Sequence, residues 1–386
     1  MPRADFGATL LIMARTARVR DEGMAGRSET GQQGRIAGID VARGLAIIGM
    51  LAVHIGPTHL TDPAGRLYAL LTHGRASILF GLLAGVGVAL LGASRSSTPA
   101  AARLRLVWFA VVLLPLGLWL QGLNISVLVI LANYALLFLF GALCIGLSNR
   151  AIAGLAVAFA ILGPIGFLTG KIVDPGTFNR FPVSWANSPA EILHGLALSG
   201  PYPFITWAAP FLTGMWLGRQ NLNDNGFRMR MVLVGGATMV AAVALAALLN
   251  TMLDPPTYLR GLHRLLDASP HSQMPLWLIG ATGSAVFALG LSLIAADRLG
   301  RAVSPLALAG QLALSIYVGH LVALHFLGRT MKSSDVGEAI GIIALILAVS
   351  LVIGGIWRHF WPRGPLETVL ALPWTLSASL SSAGRR

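Results

Sequence analysis

The chain has 386 residues, of which 55% are apolar and only 11% charged. Soluble domains carry about 25% charged residues, so with a mean hydropathy of +0.73 a soluble globular fold is excluded. The formal charge of +13 resides in arginines that flank apolar runs instead of forming a basic stripe, the bias of cytoplasmic loops, which argues against nucleic acid as a partner.

In chain order, residues 1–35 come first as a basic tail with six arginines and one short apolar run, Ala8–Ala14. That run is too short to span a bilayer, and no small-residue cleavage site follows it. The tail reads as disordered and cytoplasmic, with Met24 as an alternative start. Ten apolar runs then follow, at roughly 39–57, 76–93, 104–121, 124–147, 151–170, 203–218, 230–250, 274–296, 304–328 and 338–361. Apart from the short sixth, each can cross a hydrocarbon core of about 30 Å. The pattern predicts an all-α, polytopic transmembrane helix bundle of about ten spans, occupying residues 36–370, with a C-terminal tail at 371–386. Placing both termini in the cytoplasm puts nineteen basic residues inside and eight outside, which favours that orientation. The predicted outer loops 58–75, 171–202 and 251–273 are long and hold His59, His73, His194, His263 and His271. Long connections are often functional, so a ligand is expected to meet the protein from that side. Asp254, Tyr258 and Asp267 are in the same loops.

The first span carries the densest signal. Arg43 and His54 are eleven positions apart, about three turns plus 20° of helix, so they share a face roughly 16 Å apart along the axis. Asp40 shares that face one turn earlier. Ionisable groups at membrane depth are costly and are usually paired, water-lined or functional. Arg43 can hold a phosphate or another anion with its planar fork, and His54 can serve as a general base. The structural alternative pairs Arg43 with Asp40 while it snorkels and leaves His54 as a helix-interface residue; the two stand about even. His73 and Arg75 stand before the second span, where a histidine orients a substrate, acts as a base or is merely hydrated. Gln121, Asn124, Asn133 and Tyr134 bring polar groups to the third and fourth runs, where they line a cavity or glue helices. Tyr202 and Trp207 open the sixth run as interfacial anchors. Tyr317 and His320 are three apart in the ninth and face one way. Gly81/Gly85 and Gly214/Gly218 suit close helix packing. The lone Cys144 allows no intrachain disulfide. With no HExxH and no carboxylates near the inner histidines in sequence, no metal site is expected.

Five stretches then carry a family resemblance: RIAGIDVARGLAIIGMLAVH at 35–54, SILFGLLAGVGVAL at 77–90, YPFITWAAPFLTGMWLGR at 202–219, LALAGQLALSIYVGH at 306–320 and RGPLETVL at 363–370. In order and spacing they resemble the membrane acyltransferase superfamily, within it the bacterial YeiB-like proteins and those with a heparan-α-glucosaminide N-acetyltransferase-like catalytic domain. The arginine, ten residues, then histidine of the first span is also similar to the first-span motif of acyltransferase family 3.

The resemblance implies transfer of an acyl group, acetyl foremost, from cytoplasmic acyl-CoA to a cell-envelope sugar or lipid-linked acceptor across a bacterial inner membrane. Acetyl-CoA enters as co-substrate, with no permanently bound cofactor, and the oligomeric state stays open. By position it implies that Arg43, with Asp40 beside it, contacts the donor and that His54 is catalytic. His73 is the nearest match to the essential histidine of the heparan-type enzymes, although the Trp and Asp pattern that follows it there is missing. Arg75, Asn133, Tyr317 and His320 are the remaining candidate substrate contacts. A transporter or flippase of a polar or lipid-linked solute, and a non-catalytic membrane partner, remain the competing classes.

Overall fold

The computed structural model describes residues 36–57, 65, 68, 72–94, 98–123, 127–178, 182–253 and 261–383. The basic tail and His59, Asn124, Asp254 and Tyr258 lie outside them. Two units part at Ala37: residues 1–37, of which Ile36 and Ala37 are described, and Gly38–Arg386, which holds all that follows.

Among the described residues the regular structure is helical, with no strand. Twelve helices matter here: α1 (Ala37–Ile55), α2 (Arg75–Ala93), α3 (Pro99–Leu123), α4 (Leu131–Cys144), α5 (Asn149–Val173), α6 (Phe204–Leu217), α7 (Asn225–Leu253), α8 (Pro275–Leu299), α9 (Ser304–Gln311), α10 (Ala313–Leu327), α11 (Val336–Phe360) and α12 (Pro365–Ala383). Seven helical stretches are long and apolar enough to cross a membrane by length and composition, and α4, α6 and α10 are shorter apolar helices. Apolar side chains such as Leu162, Val234, Leu345 and Ile356 face outward, as they do where the surroundings are lipid. The fold is therefore an all-α polytopic bundle.

Small residues set two crossings that position the site. A Cβ on Gly85 would overlap the Phe211 carbonyl, and one on Gly214 the Leu82 carbonyl, so the backbones of α2 and α6 touch. A Cβ on Gly44 would likewise strike the Leu306 carbonyl, and one on Gly310 the Asp40 carbonyl. That second contact holds α1, with Arg43 and His54 on it, against α9. Without a hydrophobic drive between helices in lipid, such close backbone approach is what makes association specific.

Two apolar runs differ from the sequence expectation. In the described part of the fourth, the helix is Leu131–Cys144. Residues 127–130 are instead non-helical, clamped by Gln121, whose Nε2 donates to the Val127 carbonyl at 2.9 Å and whose Oε1 accepts from Val129 N–H at 2.8 Å. The ninth run breaks at Leu312 into α9 and α10. The fresh helix start this creates is capped by Glu367 from α12, which accepts from Leu314 N–H at 2.9 Å and Ser315 N–H at 3.1 Å. Non-helical backbone at membrane depth is tolerated when its polar groups are satisfied inside the protein. Both interruptions adjoin the candidate site. Helix α12 runs on past residue 370 to Ala383.

Candidate active site

His54, near the end of α1, meets His320 of α10. Nδ1 of His54 lies 2.9 Å from Nε2 of His320, and the rings stack at 5.2 Å with 16° between planes. Nδ1 of His320 is 3.1 Å from the Ile316 carbonyl, which can only accept. Nδ1 of His320 must therefore carry the proton, and in a neutral ring its Nε2 is a bare acceptor. That acceptor takes the Nδ1–H of His54, which leaves Nε2 of His54 as a bare lone pair. His320 is buried with both nitrogens engaged, whereas His54 is only partly buried. One histidine is the support, and the other is free to take a proton.

Three cavities adjoin around this pair. A long one of about 480 Å³ runs from Arg43 past Leu83 and Phe138 to Tyr317. It shares Phe80, Ile130 and Tyr317 with a chamber of about 40 Å³ that His54 lines. That chamber shares His54, Gly74, Leu128, Tyr202 and His271 with a wide cavity of about 690 Å³. The waist is shaped by the non-helical strip before α4: Ile130 N–H donates to the Tyr317 hydroxyl at 3.2 Å, and the Tyr317 ring stands edge-on to His320 at 5.5 Å.

At the Arg43 end, Arg43 pairs with Asp40 at 3.0 Å. Gln311 Nε2 donates to the other Asp40 oxygen at 3.3 Å, and Arg358 donates to Gln311 Oε1 at 2.6 Å. Asp40 is buried, and Arg43, with its side chain 30% exposed, lines the long cavity. Arg105 and Glu367 line it too, with the Arg105 guanidinium 4.8 Å over the Trp374 ring.

At the other end the loop before α8 is locked by one side chain. Gln273 Oε1 accepts from Thr206 Oγ1 at 2.7 Å and Trp207 Nε1 at 3.1 Å, while its Nε2 donates to the carbonyls of Pro201 at 2.9 Å and His271 at 3.2 Å. His271 and Gln273 both hold positive φ, 60° and 64°, a region that costs a non-glycine residue and persists only when its surroundings impose it. The lock sets His271 edge-on to Tyr202 at 5.3 Å and stacked on Trp207 at 6.2 Å. Burial, assisted by nearby His73, pushes the His271 imidazole down to about 4, against a smaller upward pull from the Pro201 carbonyl. Burial raises the Tyr202 phenol well above its ordinary range.

The structure thus brings His54, Tyr317 and His320 together and puts Arg43, paired with Asp40, on the long cavity that Tyr317 also lines. His73 lines the wide cavity, its Nδ1 3.1 Å from Thr72 Oγ1. Arg75 lies with His73 on a separate side slot. Asn133 is buried, and its amide donates to the carbonyls of Leu196 at 3.3 Å and Tyr202 at 2.5 Å, so it positions Tyr202 and lines none of the three cavities. Gln273 and Arg105 escape sequence reasoning, since nothing in their local pattern separates them from loop or flanking polar residues, and Glu367 enters it only as part of RGPLETVL, with no role of its own. His271 is visible there only as one histidine of a histidine-bearing loop. Among the described residues no group of three His, Cys, Asp or Glu can hold a metal ion.

Residues 125–355 match the acyltransferase 3 family, described as an acyltransferase domain. The matched segment includes Tyr202, His271, Tyr317 and His320 and begins after Arg43 and His54. No match to the chain is found among curated proteins.

Proposed function

The chain belongs to the acyltransferase 3 family of membrane acyltransferases, and from that premise we propose that it moves an acyl group from acyl-CoA to a cell-envelope sugar or glycolipid. Acetyl is the simplest such group, and the YeiB-like branch is where we place the chain. The Arg43 end faces the cytoplasm of a bacterial inner membrane, and the His271 end faces out. The observation that carries the reading is the His54–His320 pair: His54 lines both the wide cavity and the small chamber, and that chamber shares Phe80, Ile130 and Tyr317 with the long cavity that Arg43 lines.

In this mechanism the donor enters the long cavity as a co-substrate. Arg43 and Arg105 hold its phosphates with charge-assisted hydrogen bonds, and the apolar walls take its pantetheine arm. The acceptor comes through the wide cavity. Nε2 of His54 takes the proton from its hydroxyl or amine as that atom attacks the thioester carbonyl. The tetrahedral intermediate then expels the thiolate, which receives the proton back from the His54 imidazolium. His320 positions this base by fixing its tautomer, and Tyr317 borders the path between donor and acceptor.

A positioned general base contributes about 10²–10⁴ in rate. Purified protein in lipid nanodiscs, assayed for acyl transfer or acyl-CoA hydrolysis, should lose that factor on His54→Ala while still binding donor. A folded His54→Ala protein with full transfer sinks the assignment. The same connected cavities also suit a transporter, and solute crossing without covalent change would replace the enzyme reading.

A further inference from the structure

Tyr134 stands on the wall of the long cavity, and the reaction as proposed gives it no task. The residue is 8% exposed, and its hydroxyl oxygen is buried without a hydrogen-bond partner. A buried tyrosine O–H ordinarily finds an acceptor, and leaving that bond unmade is costly. Packing holds the ring in place. It stacks on Phe138 at 5.8 Å, and Phe138 meets Phe109 edge-on at 5.8 Å. Both phenylalanines line the same cavity.

The position of Tyr134 along the cavity follows from α4. Ile130, Leu131, Tyr134 and Phe138 line it, and of these four only Ile130 also lines the chamber beside His54. The helix therefore leads away from the chamber, with Tyr134 about 6 Å beyond Ile130 at 1.5 Å per residue. The chamber, about 40 Å³, has room for about three water-sized groups at 10–15 Å³ each, the size of an acetyl group. With the acyl group there, the thioester sits beside Ile130 and Tyr317, which line both spaces. In an extended pantetheine arm the first amide carbonyl lies roughly 6 Å from the thioester carbon, at ordinary covalent bond lengths. Sulfur and two methylenes lie between them and suit the apolar wall that Leu83 and Leu131 supply.

We propose that the Tyr134 hydroxyl donates a hydrogen bond to that amide carbonyl, so that the protein selects donors whose sulfur is followed two carbons on by an amide. The bond fixes how far the donor slides into the cavity and so holds the thioester at the mouth of the chamber. A plain alkyl thioester leaves the hydroxyl unpaired in an apolar wall, and a site built to hydrogen-bond one group rejects a molecule that lacks it. The inference rests on the acyl-transfer reading and deepens it by naming the part of the donor that is recognised and the residue that recognises it.

The test uses the full chain in lipid nanodiscs and two probes. One is the non-hydrolysable acetonyl thioether of coenzyme A, and the other is the same molecule with two methylenes in place of the amide nearest the sulfur. The unaltered protein should bind the first about tenfold more tightly, the scale of one buried hydrogen bond. Tyr134→Phe keeps the ring stacked on Phe138 and removes only the hydroxyl. It should weaken the first probe about tenfold, leave the second unchanged and so erase the preference. Tyr134→Leu serves the same comparison if the phenylalanine variant fails to fold. Equal affinity of the unaltered protein for both probes overturns the proposal, as does an equal loss for both in Tyr134→Phe, which is what a merely structural role would give. Acyl transfer from acetyl-CoA is followed in parallel. A preference that depends on Tyr134, without transfer, keeps the contact and removes the acyl-transfer reading. Transfer without the preference does the reverse, and binding of neither probe overturns both.

Discussion

His54 and His320 differ in what their second nitrogen touches, and the proposed mechanism takes its base and its support from that difference. Replacing His320 by Ala removes the acceptor that holds Nδ1–H of His54 and should cut turnover between about tenfold and a hundredfold, the kinetic equivalent of roughly 1–3 kcal/mol of lost hydrogen bonding. His320→Gln retains an acceptor oxygen and should recover part of that loss with the KM for donor unchanged. A merely structural role would not show this split. His271 makes a different prediction. Its imidazole titrates near 4 in the fold and near 6.5 when unfolded, so the unfolded chain binds the proton more readily. Stability is therefore unaffected above about pH 7, falls as pH drops from 6.5 toward 4, and levels off below, by about 3 kcal/mol in all. Thermal unfolding in detergent across that range should show the loss, and His271→Phe should remove it.

Among the elements, the loop before α8 and the α2–α6 crossing carry the clearest mechanical roles. Gln273 uses both its oxygen and its nitrogen to hold two backbone carbonyls, a hydroxyl and an indole N–H. Gln273→Leu strips the Trp207 indole N–H and the Pro201 and His271 carbonyls of this partner, while the Thr206 hydroxyl keeps the Pro203 carbonyl, at a cost of about 2–4 kcal/mol. It should lower Tm and loosen the wall formed by His271 and Tyr202. Gly214→Leu drives a side chain into the Leu82 backbone and should abolish folding, as seen by loss of a monodisperse peak on gel filtration. The elements also show what was readable in advance. Each of the ten apolar runs contains helix, because an apolar stretch in lipid must satisfy its own backbone. The two interruptions were not readable, since the side chains that satisfy residues 127–130 and the start of α10 come from Gln121, Tyr317 and Glu367, on other helices.

Over the whole molecule, the charge asymmetry gives the bundle its proposed direction. Single cysteines placed at Ser333 on the wide cavity and at Arg301 before α9, in a Cys144→Ala background, should react with an impermeant maleimide in intact cells only at the first. The reverse pattern would invert the proposed path from donor to acceptor. A path of this kind would run through three cavities that share lining residues, with His54 on the smallest of them.

Sequence alone determined that this chain is helical and membrane-embedded, and it put Arg43 and His54 on one face. Those properties follow from composition and from the period of a single helix, which local residues set. Only the tertiary structure decided that His54 has His320 as its partner, 266 positions away, that Asn133 braces Tyr202 instead of lining a cavity, and that Gln273 aims His271. Each of those rests on contacts between segments distant in sequence, for Gln273 its bonds to Pro201, Thr206 and Trp207. They depend on where glycines let backbones meet, and no local pattern encodes them.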